Sequence, residues 1–217
     1  MLKSVHKALV ILFTVQLLVG CSGMGDVADE PGVDSTGKSG AQQATPVKKT
    51  PMSKAELGDF QRALWVVKSG DVSKGLAEFE ALTKKYPSMA EAHLNLGILR
   101  LKGKDLAGAE AALLRATQLN PNDAIAFNHL GVAYRYNGKF NESKNAYLSA
   151  IELNNGYSLA HLNLGILYDI YFQDLPAALN EYQLYKKLIN QEDKTVDKWI
   201  IDLERRVARE KQAAKKG

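Results

Sequence analysis

The sequence predicts an all-α solenoid, in which about four helix-turn-helix repeats stack in a row and a final helix closes the end. The word HLNLGIL occurs at residues 93–99 and again at 161–167, and FNHLGVA lies midway at 127–133. The interval of 34 residues falls in the range of roughly 20–50 that is typical of stacked repeats. Within each interval, apolar residues recur at i, i+3, i+4 and i+7, as on one face of a helix.

The chain begins with a segment of secretory type. Lys3 and Lys7 precede an apolar run over residues 8–18. As a helix, this run is too short for a hydrocarbon core of about 30 Å, but it suits the hydrophobic part of a signal peptide. The word LVGC at 18–21 follows at once and resembles the bacterial lipobox, in which the leader is removed before a cysteine that becomes lipid-modified.

This resemblance implies that residues 1–20 are a lipoprotein signal peptide and that Cys21 carries acyl chains such as palmitate. Ser22, which is not an aspartate, implies sorting to the outer membrane of a Gram-negative bacterium, with the folded part in the periplasm. The alternatives are an ordinary signal peptide or an uncleaved anchor. Cys21 is the only cysteine, so the sequence contains no disulfide framework and no CxxC metal site.

Residues 21–52 are predicted to be the lipidated cysteine and a flexible linker, because Gly, Ser, Thr, Asp and Pro dominate them. About 30 such residues reach roughly 30 Å. The letters GVDSTGKS at 32–39 fit the phosphate-binding P-loop pattern. That loop needs a buried strand before it and a helix after it. Neither flank can supply one, so we predict no nucleotide binding there.

Three blocks carry the repeat: 90–123, 124–157 and 158–190. Each contains a Leu-Gly pair in the middle of its first helix. Glycine there costs about 1 kcal/mol relative to alanine, so its recurrence predicts that the paired helix approaches closely at that point. The last block has one extra residue before Ala178, which predicts a longer turn.

These blocks resemble the tetratricopeptide repeat, whose signature runs W-x₂-L-G-x₂-Y…A-x₃-F…P. The matching residues are Leu96-Gly97, Leu130-Gly131, Leu164-Gly165, Tyr134, Tyr168, Ala109/Leu113, Ser143/Tyr147, Ala178/Tyr182, Pro87 and Pro121. Arg100 departs from the signature tyrosine, and Asn-Gly replaces the proline after Asn154. The resemblance implies a right-handed solenoid over residues 53–192 that binds proteins and has no catalytic role.

The two ends of the array are less regular. Residues 53–87 fit as a degenerate first repeat, with a capping box from Ser53 to Glu56. Leu-Gly is missing, and Ala63-Leu64 is its nearest match after a shift of one residue. Residues 193–217 are predicted to be a capping helix, at about 193–211, and a basic tail. Its apolar stripe covers the last repeat; docking to a partner or to anionic lipid is the alternative.

Nothing in the sequence points to an enzyme, a metal or a cofactor. HExxH, a nucleophile elbow and a nucleotide-binding glycine cluster are all missing. His93 and His161 occupy a packing position of the first helices, two repeats apart, and are too distant to share a ligand. The net charge of +4 includes two leader lysines, and the sequence shows no basic stripe of the kind expected for nucleic-acid binding.

The predicted partner site is the concave face, which the first helices line in this family. Its members are Leu94, Ile98, Leu101, Ile125, Asn128, Val132, Arg135, Tyr136, Leu162, Ile166 and Ile170. Most are apolar, which departs from the basic clamp that other members use for C-terminal carboxylates. We therefore expect a groove for a helical or extended partner segment. The alternative is that these residues pack on neighbouring repeats.

The sequence favours a periplasmic scaffold, tethered to the outer membrane, that binds a protein of an envelope machine. Residues 160–185 and 196–207 look like small repeat lipoproteins that accompany Ton/Tol-type proton-driven machines. Type IV pilus pilotins and adaptors for peptidoglycan hydrolases are the alternatives. The partner itself stays open.

Overall fold

The computed structural model describes residues 51–215, and these contain helices and no strand. The described residues do not include the leader, Cys21, nearly all of the linker or the P-loop-like segment at 32–39. The α-helices are α1 (Lys54–Lys68), α2 (Val72–Lys85), α3 (Ala90–Lys102), α4 (Leu106–Leu119), α5 (Ala124–Tyr136), α6 (Phe140–Leu153), α7 (Ser158–Leu167), α8 (Leu175–Ile189) and α9 (Lys194–Ala214).

The helices pack in antiparallel pairs that follow one another along the chain. α1 packs on α2, α3 on α4, α5 on α6 and α7 on α8, and each pair contacts the first helix of the next one. The predicted all-α solenoid is thus confirmed. The first helices α3, α5 and α7 also contact one another, whereas adjacent second helices have no comparable contact. The first helices therefore lie on the inner side of the curve.

The mid-helix glycines mark the closest approach within each pair. A Cβ added to Gly131 would lie 2.5 Å from Cε1 of Tyr147, and one added to Gly165 would lie 2.6 Å from Cδ1 of Tyr182. Both tyrosines are among the most buried of the described side chains. The missing side chain thus makes room for a large ring, which is the reason that the Leu-Gly word recurs.

The first repeat keeps the register of the others, so the one-residue shift predicted from the sequence is wrong. Ala63 lies 34 residues before Gly97 and is fully buried. Gly75 lies 34 residues before Ala109, and the side chain of Val67 fills the space that a Cβ on Gly75 would need. Small residues thus occupy both positions, and the repeat is recognisable by geometry although its Leu-Gly word is lost.

The extra residue of the last repeat is absorbed by a π-helical turn, Tyr168–Phe172, at the end of α7. In the third repeat, the N–H of Lys139 donates to the carbonyl of Tyr134, five residues back. In the fourth repeat, the corresponding bond runs from Asp174 to Tyr168, six residues back. In both repeats a hydrogen bond closes the turn at the same place, and in the fourth repeat it spans one more residue. The helix α8 can therefore begin as α6 does in the third repeat.

The final helix α9 packs on α8 and covers its apolar face. Val196, Leu203 and Val207 are buried, and the ring of Trp199 lies 5.5 Å from that of Tyr182. Asp193 caps the helix by accepting from the N–H groups of two following residues. Among the described residues, no helix has the length and apolar character needed to cross a membrane.

Candidate partner-binding groove

The row of first helices presents the predicted groove residues to different degrees. Tyr136 is 58% exposed, Ile170 is 51% exposed, and Ile125 is about half exposed. Ile98, Leu101, Val132, Arg135, Leu162 and Ile166 are half-buried. Leu94 and Asn128 are buried. Nine of the eleven residues are thus at least partly exposed on the inner surface, and two are buried.

Leu94 and Asn128 correct the sequence prediction, which expected both at the surface. Leu94 belongs to the apolar cluster that joins the second repeat to α5. Asn128 is 1% exposed and fastens α5 to the next repeat. Its amide donates to the hydroxyl of Tyr157 at 3.3 Å, and its carbonyl accepts from the amide of Asn163 at 2.9 Å. Both side chains hold repeats together and cannot contact a partner.

The half-buried members pack partly between repeats. Ile98 and Leu101 lie against the cluster of α4 and α5, and Val132 lies against Tyr147 and its neighbours. Leu162 and Ile166 contact the cluster that includes α9. The line of Ile98, Val132 and Ile166 thus forms the floor of the groove, with part of each side chain in the core.

Two short apolar rows border this floor. Ile125 and Leu159 are equivalent residues, 34 apart, at the start of α5 and α7, and both are about half exposed. Tyr136 lies at the other end of α5, and Ile170, 34 residues later, lies in the π-helical turn that follows α7. The offsets within the repeat predict Leu159 on the concave face together with the eleven residues named above, and its exposure agrees with that. These rows are exposed apolar surface on either side of the floor.

Charged groups gather beside the second row. Nη1 of Arg206 on α9 lies 3.0 Å from Oδ1 of Asp169, and it also approaches Asp202 at 3.8 Å. The guanidinium of Arg135 lies over the ring of Tyr136, 5.2 Å from its centroid. Nε of Arg135 and the hydroxyl of Tyr147 are buried and make no hydrogen bond to any described residue. This end of the groove therefore combines a cation with exposed apolar groups.

The described histidines, His93, His129 and His161, are buried or half-buried within the repeats. Nδ1 of His161 lies 2.7 Å from Oε2 of Glu181, and Nε2 lies 3.2 Å from the carbonyl of Asn155, so the ring joins α7 to α8 and to the preceding turn. Burial lowers the pKa of His93 and of His129, which favours the neutral ring. Within residues 51–215, no group of His, Cys, Asp and Glu side chains could hold a metal ion.

Comparison with protein families identifies the repeat. A tetratricopeptide repeat model matches residues 60–124, and a second one matches residues 124–157. No curated protein sequence gives a significant match.

Solved structures share the fold. MamA (41-end) from Desulfovibrio magneticus RS-1 is 22% identical over 64% of this chain and 78% of that chain, with a TM-score of 0.57. A thermophilic TPR protein of Thermus thermophilus is 18% identical over 71% of this chain and 84% of that one, with a TM-score of 0.57. The first TPR of Spaghetti (RPAP3), bound to an HSP90 peptide, is 18% identical over 55% of this chain and 93% of its own, with a TM-score of 0.52. Together with the helix pairing, these matches show that residues 60–157 carry tetratricopeptide repeats and that the described residues fold as an all-α TPR solenoid.

Proposed function

We propose that this protein is a non-catalytic scaffold in the periplasm, tethered to the outer membrane through lipid on Cys21, that holds a protein partner of an envelope machine in its groove. The observation that carries the proposal is the pair of exposed apolar rows, Ile125 with Leu159 and Tyr136 with Ile170. These residues recur at intervals of 34 on α5, on α7 and in the turn after α7, and exposed apolar patches on protein surfaces mark interaction sites.

The groove fits a single helix or an extended segment. Apolar anchors spaced along one face of a partner helix would meet the two rows and the floor between them. A solved tetratricopeptide repeat domain of the same fold holds a peptide, which supports peptide binding as a use of this architecture. No cofactor is required for such a function.

The membrane tether and the class of partner rest on the sequence. The leader and the LVGC word at 18–21 support a lipid anchor, and Ser22 supports the outer membrane. The likeness of residues 160–185 and 196–207 to lipoproteins of Ton/Tol-type machines favours a partner from that class. The linker would let the scaffold search a shell of roughly 30 Å below the membrane.

A site-specific photo-crosslinker tests the groove in living cells. Placed at Tyr136 or at Ile125, it should capture the same envelope protein, which mass spectrometry would identify. Leu148 on α6 is the matched control, since it is an exposed apolar residue on the outer row of helices. Equal capture from Leu148, or no shared product from the two groove positions, would contradict the groove as the binding site.

The anchor is tested separately. Cys21→Ala should block processing of the leader and remove the protein from the detergent phase and the outer-membrane fraction. Unchanged processing and fractionation of this variant would disprove the lipid anchor and leave the groove proposal standing.

A further inference from the structure

One face of α1 is exposed where the later repeats pack on their predecessors. Successive residues of a helix differ by about 100°, so seven exposed residues of α1 fall within an arc of about 120°. This α1 face consists of Lys54, Leu57, Gly58, Gln61, Leu64, Trp65 and Lys68. At the positions of Gly58 and Trp65, the later repeats carry buried residues, namely Ala92, Ala126 and Ala160 for Gly58 and Leu99, Ala133 and Leu167 for Trp65.

The α1 face combines apolar and basic side chains and contains no acidic residue. Trp65 is 68% exposed, and Leu57 and Leu64 are exposed on the same face. Lys54 and Lys68 are exposed at its two ends, which lie about 21 Å apart along the helix axis. Tryptophan, leucine and lysine on one helix face are typical of segments that lie at a membrane surface.

The two acidic residues of α1 lie outside this arc and are bound elsewhere. Asp59 is held by Lys85 at 2.7 Å and by Arg62 at 3.0 Å. Glu56 accepts the N–H of Ser53 at 2.7 Å in the capping box. The α1 face therefore attracts anionic and apolar groups together.

The charge of the α1 face discriminates between possible occupants. Two copies of the face would bring four lysines together without an acid, which opposes the docking of a second copy. Residues 35–52, which lead into α1, contain three lysines and no acid, so this stretch does not complement the face either. An anionic lipid surface complements both kinds of side chain, since its phosphates attract lysine and its interfacial region accepts tryptophan.

We propose that the α1 face docks on the anionic lipid surface of the membrane that holds the tether, with Trp65 at the level of the headgroups. The inference rests on the proposed function, since lipid on Cys21 keeps that surface within the roughly 30 Å reach of the linker. A tethered face meets the membrane at a high effective concentration, so a weak contact suffices. Docking directs the open end of the array to the membrane and turns α9, at the other end, away from it.

The fluorescence of Trp65 reports docking directly. The chain has two tryptophans, so Trp199→Phe leaves Trp65 as the only one. The full-length lipidated protein is reconstituted into vesicles of phosphatidylcholine with brominated acyl chains, with or without phosphatidylglycerol. Emission of Trp65 should be quenched in the vesicles that contain phosphatidylglycerol, and the quenching should fade at high salt, because salt screens the attraction between exposed charges.

A tryptophan on the outer row of helices is the control for mere proximity to the vesicle. Leu148→Trp, in a chain that also carries Trp65→Phe and Trp199→Phe, places the indole at an exposed position of α6 and should stay unquenched. Equal quenching at positions 65 and 148, or equal quenching of Trp65 in both kinds of vesicle, would contradict the inference.

The lysines are tested by two matched double variants. Lys54→Gln with Lys68→Gln should lower the ratio of docked to undocked protein by about fivefold for each lysine removed. Lys187→Gln with Lys198→Gln removes the same charge from exposed positions of α8 and α9 and should change that ratio by less than about twofold. Equal losses would indicate attraction by net charge alone and overturn the inference. Since all four lysines are exposed, both variants should melt at the wild-type temperature.

Flotation of the vesicles separates this inference from the proposed function. Protein that floats with the vesicles while Trp65 stays unquenched would leave the anchor standing and overturn the docking. Protein that does not float would count against both. Emission of Trp65 that changes with protein concentration, and not with phosphatidylglycerol, would assign the α1 face to a second copy and overturn the inference as well.

Discussion

The same helical position is buried at one end of the repeat array and exposed at the other. The position that packs on the preceding repeat is filled by Leu99, Ala133, Leu167 and Leu203, and each is at most 4% exposed. Trp65 fills it in α1 and is 68% exposed. At the other end, Leu203 of α9 is covered because α8 lies against it. Burial at this position therefore depends on the preceding repeat and not on the helix itself.

The comparison also shows how each end was adapted. α9 stands where the first helix of a fifth repeat would stand, and its outward face is charged. In α1, Gly58 replaces the buried alanines of the later repeats, and Gln61 and Arg62 are exposed. Both ends thus turn mostly polar surface outward, with a few exposed apolar side chains among it: Leu57, Leu64 and Trp65 on α1 and Ile201 on α9. In a linear array each repeat is stabilised mainly by its neighbours, so the closed end should contribute more to stability than the open one.

The largest expected effect is at the closed end. Leu203→Asp places a charge at a fully buried contact between α8 and α9, and it should lower the free energy of unfolding by about 4 kcal/mol or more. Ile201→Asp on the same helix is the control, because Ile201 is 48% exposed and should change stability by less than about 0.5 kcal/mol. Urea titration followed by circular dichroism measures both. Similar losses of stability in the two variants would contradict the packing of α9 on α8 through the face that contains Leu203.

Truncations at the same helical position in α1 and in α7 test how much burial at this position depends on a preceding repeat. Leu167→Ala removes a fully buried side chain and should cost about 2–5 kcal/mol. Trp65→Ala, at the same helical position in α1, should cost less than about 1 kcal/mol despite removing a larger side chain. Denaturant midpoints of the two variants give the comparison. If Trp65→Ala proved as costly, residues outside the described part of the chain would have to cover the indole.

The cap of α9 gives a smaller, pH-dependent effect. The N–H of Val196 and the hydroxyl of Tyr185 donate to Asp193, and these bonds hold its pKa below the usual value. A lowered pKa stabilises the folded state above the unfolded pKa of about 3.9, and this contribution is lost as the pH falls through the folded pKa. Asp193→Ala should therefore cost about 1 kcal/mol at pH 7, and the difference from wild type should shrink below about pH 4. A difference that is constant from pH 7 to pH 3 would contradict the assignment.

The smallest effect is a gain at the open end. A Cβ at Gly58 would meet nothing within 4 Å, and alanine favours the helix by up to about 1 kcal/mol over glycine. Gly58→Ala should thus raise the melting temperature by a few degrees, roughly 2–4 °C for a domain of this size. Gly131→Ala makes the same chemical change at a crowded position, where the new Cβ would lie 2.5 Å from Cε1 of Tyr147. This variant should lower the melting temperature.

The repeat period predicted the helices well, because each Leu-Gly word reports a close contact that any helical pair of this kind must make. The groove was harder to predict. Offsets within a repeat identify a helix face, but they cannot tell how far the next repeat overlaps it, and this overlap buries Leu94. Asn128 was missed for another reason, since its role depends on Asn163, a full repeat away. Trp65 could have been noticed from its interval of 34 residues before Leu99.

The π-helical turn limits how far the effect of one inserted residue spreads through the array. One residue inserted into an α-helix rotates every later side chain by about 100°. Tyr168–Phe172 confines that rotation to a single turn, so α8 and α9 keep their phase. The groove floor up to Ile166 lies before the turn, so the inserted residue leaves the floor in the register of the earlier repeats.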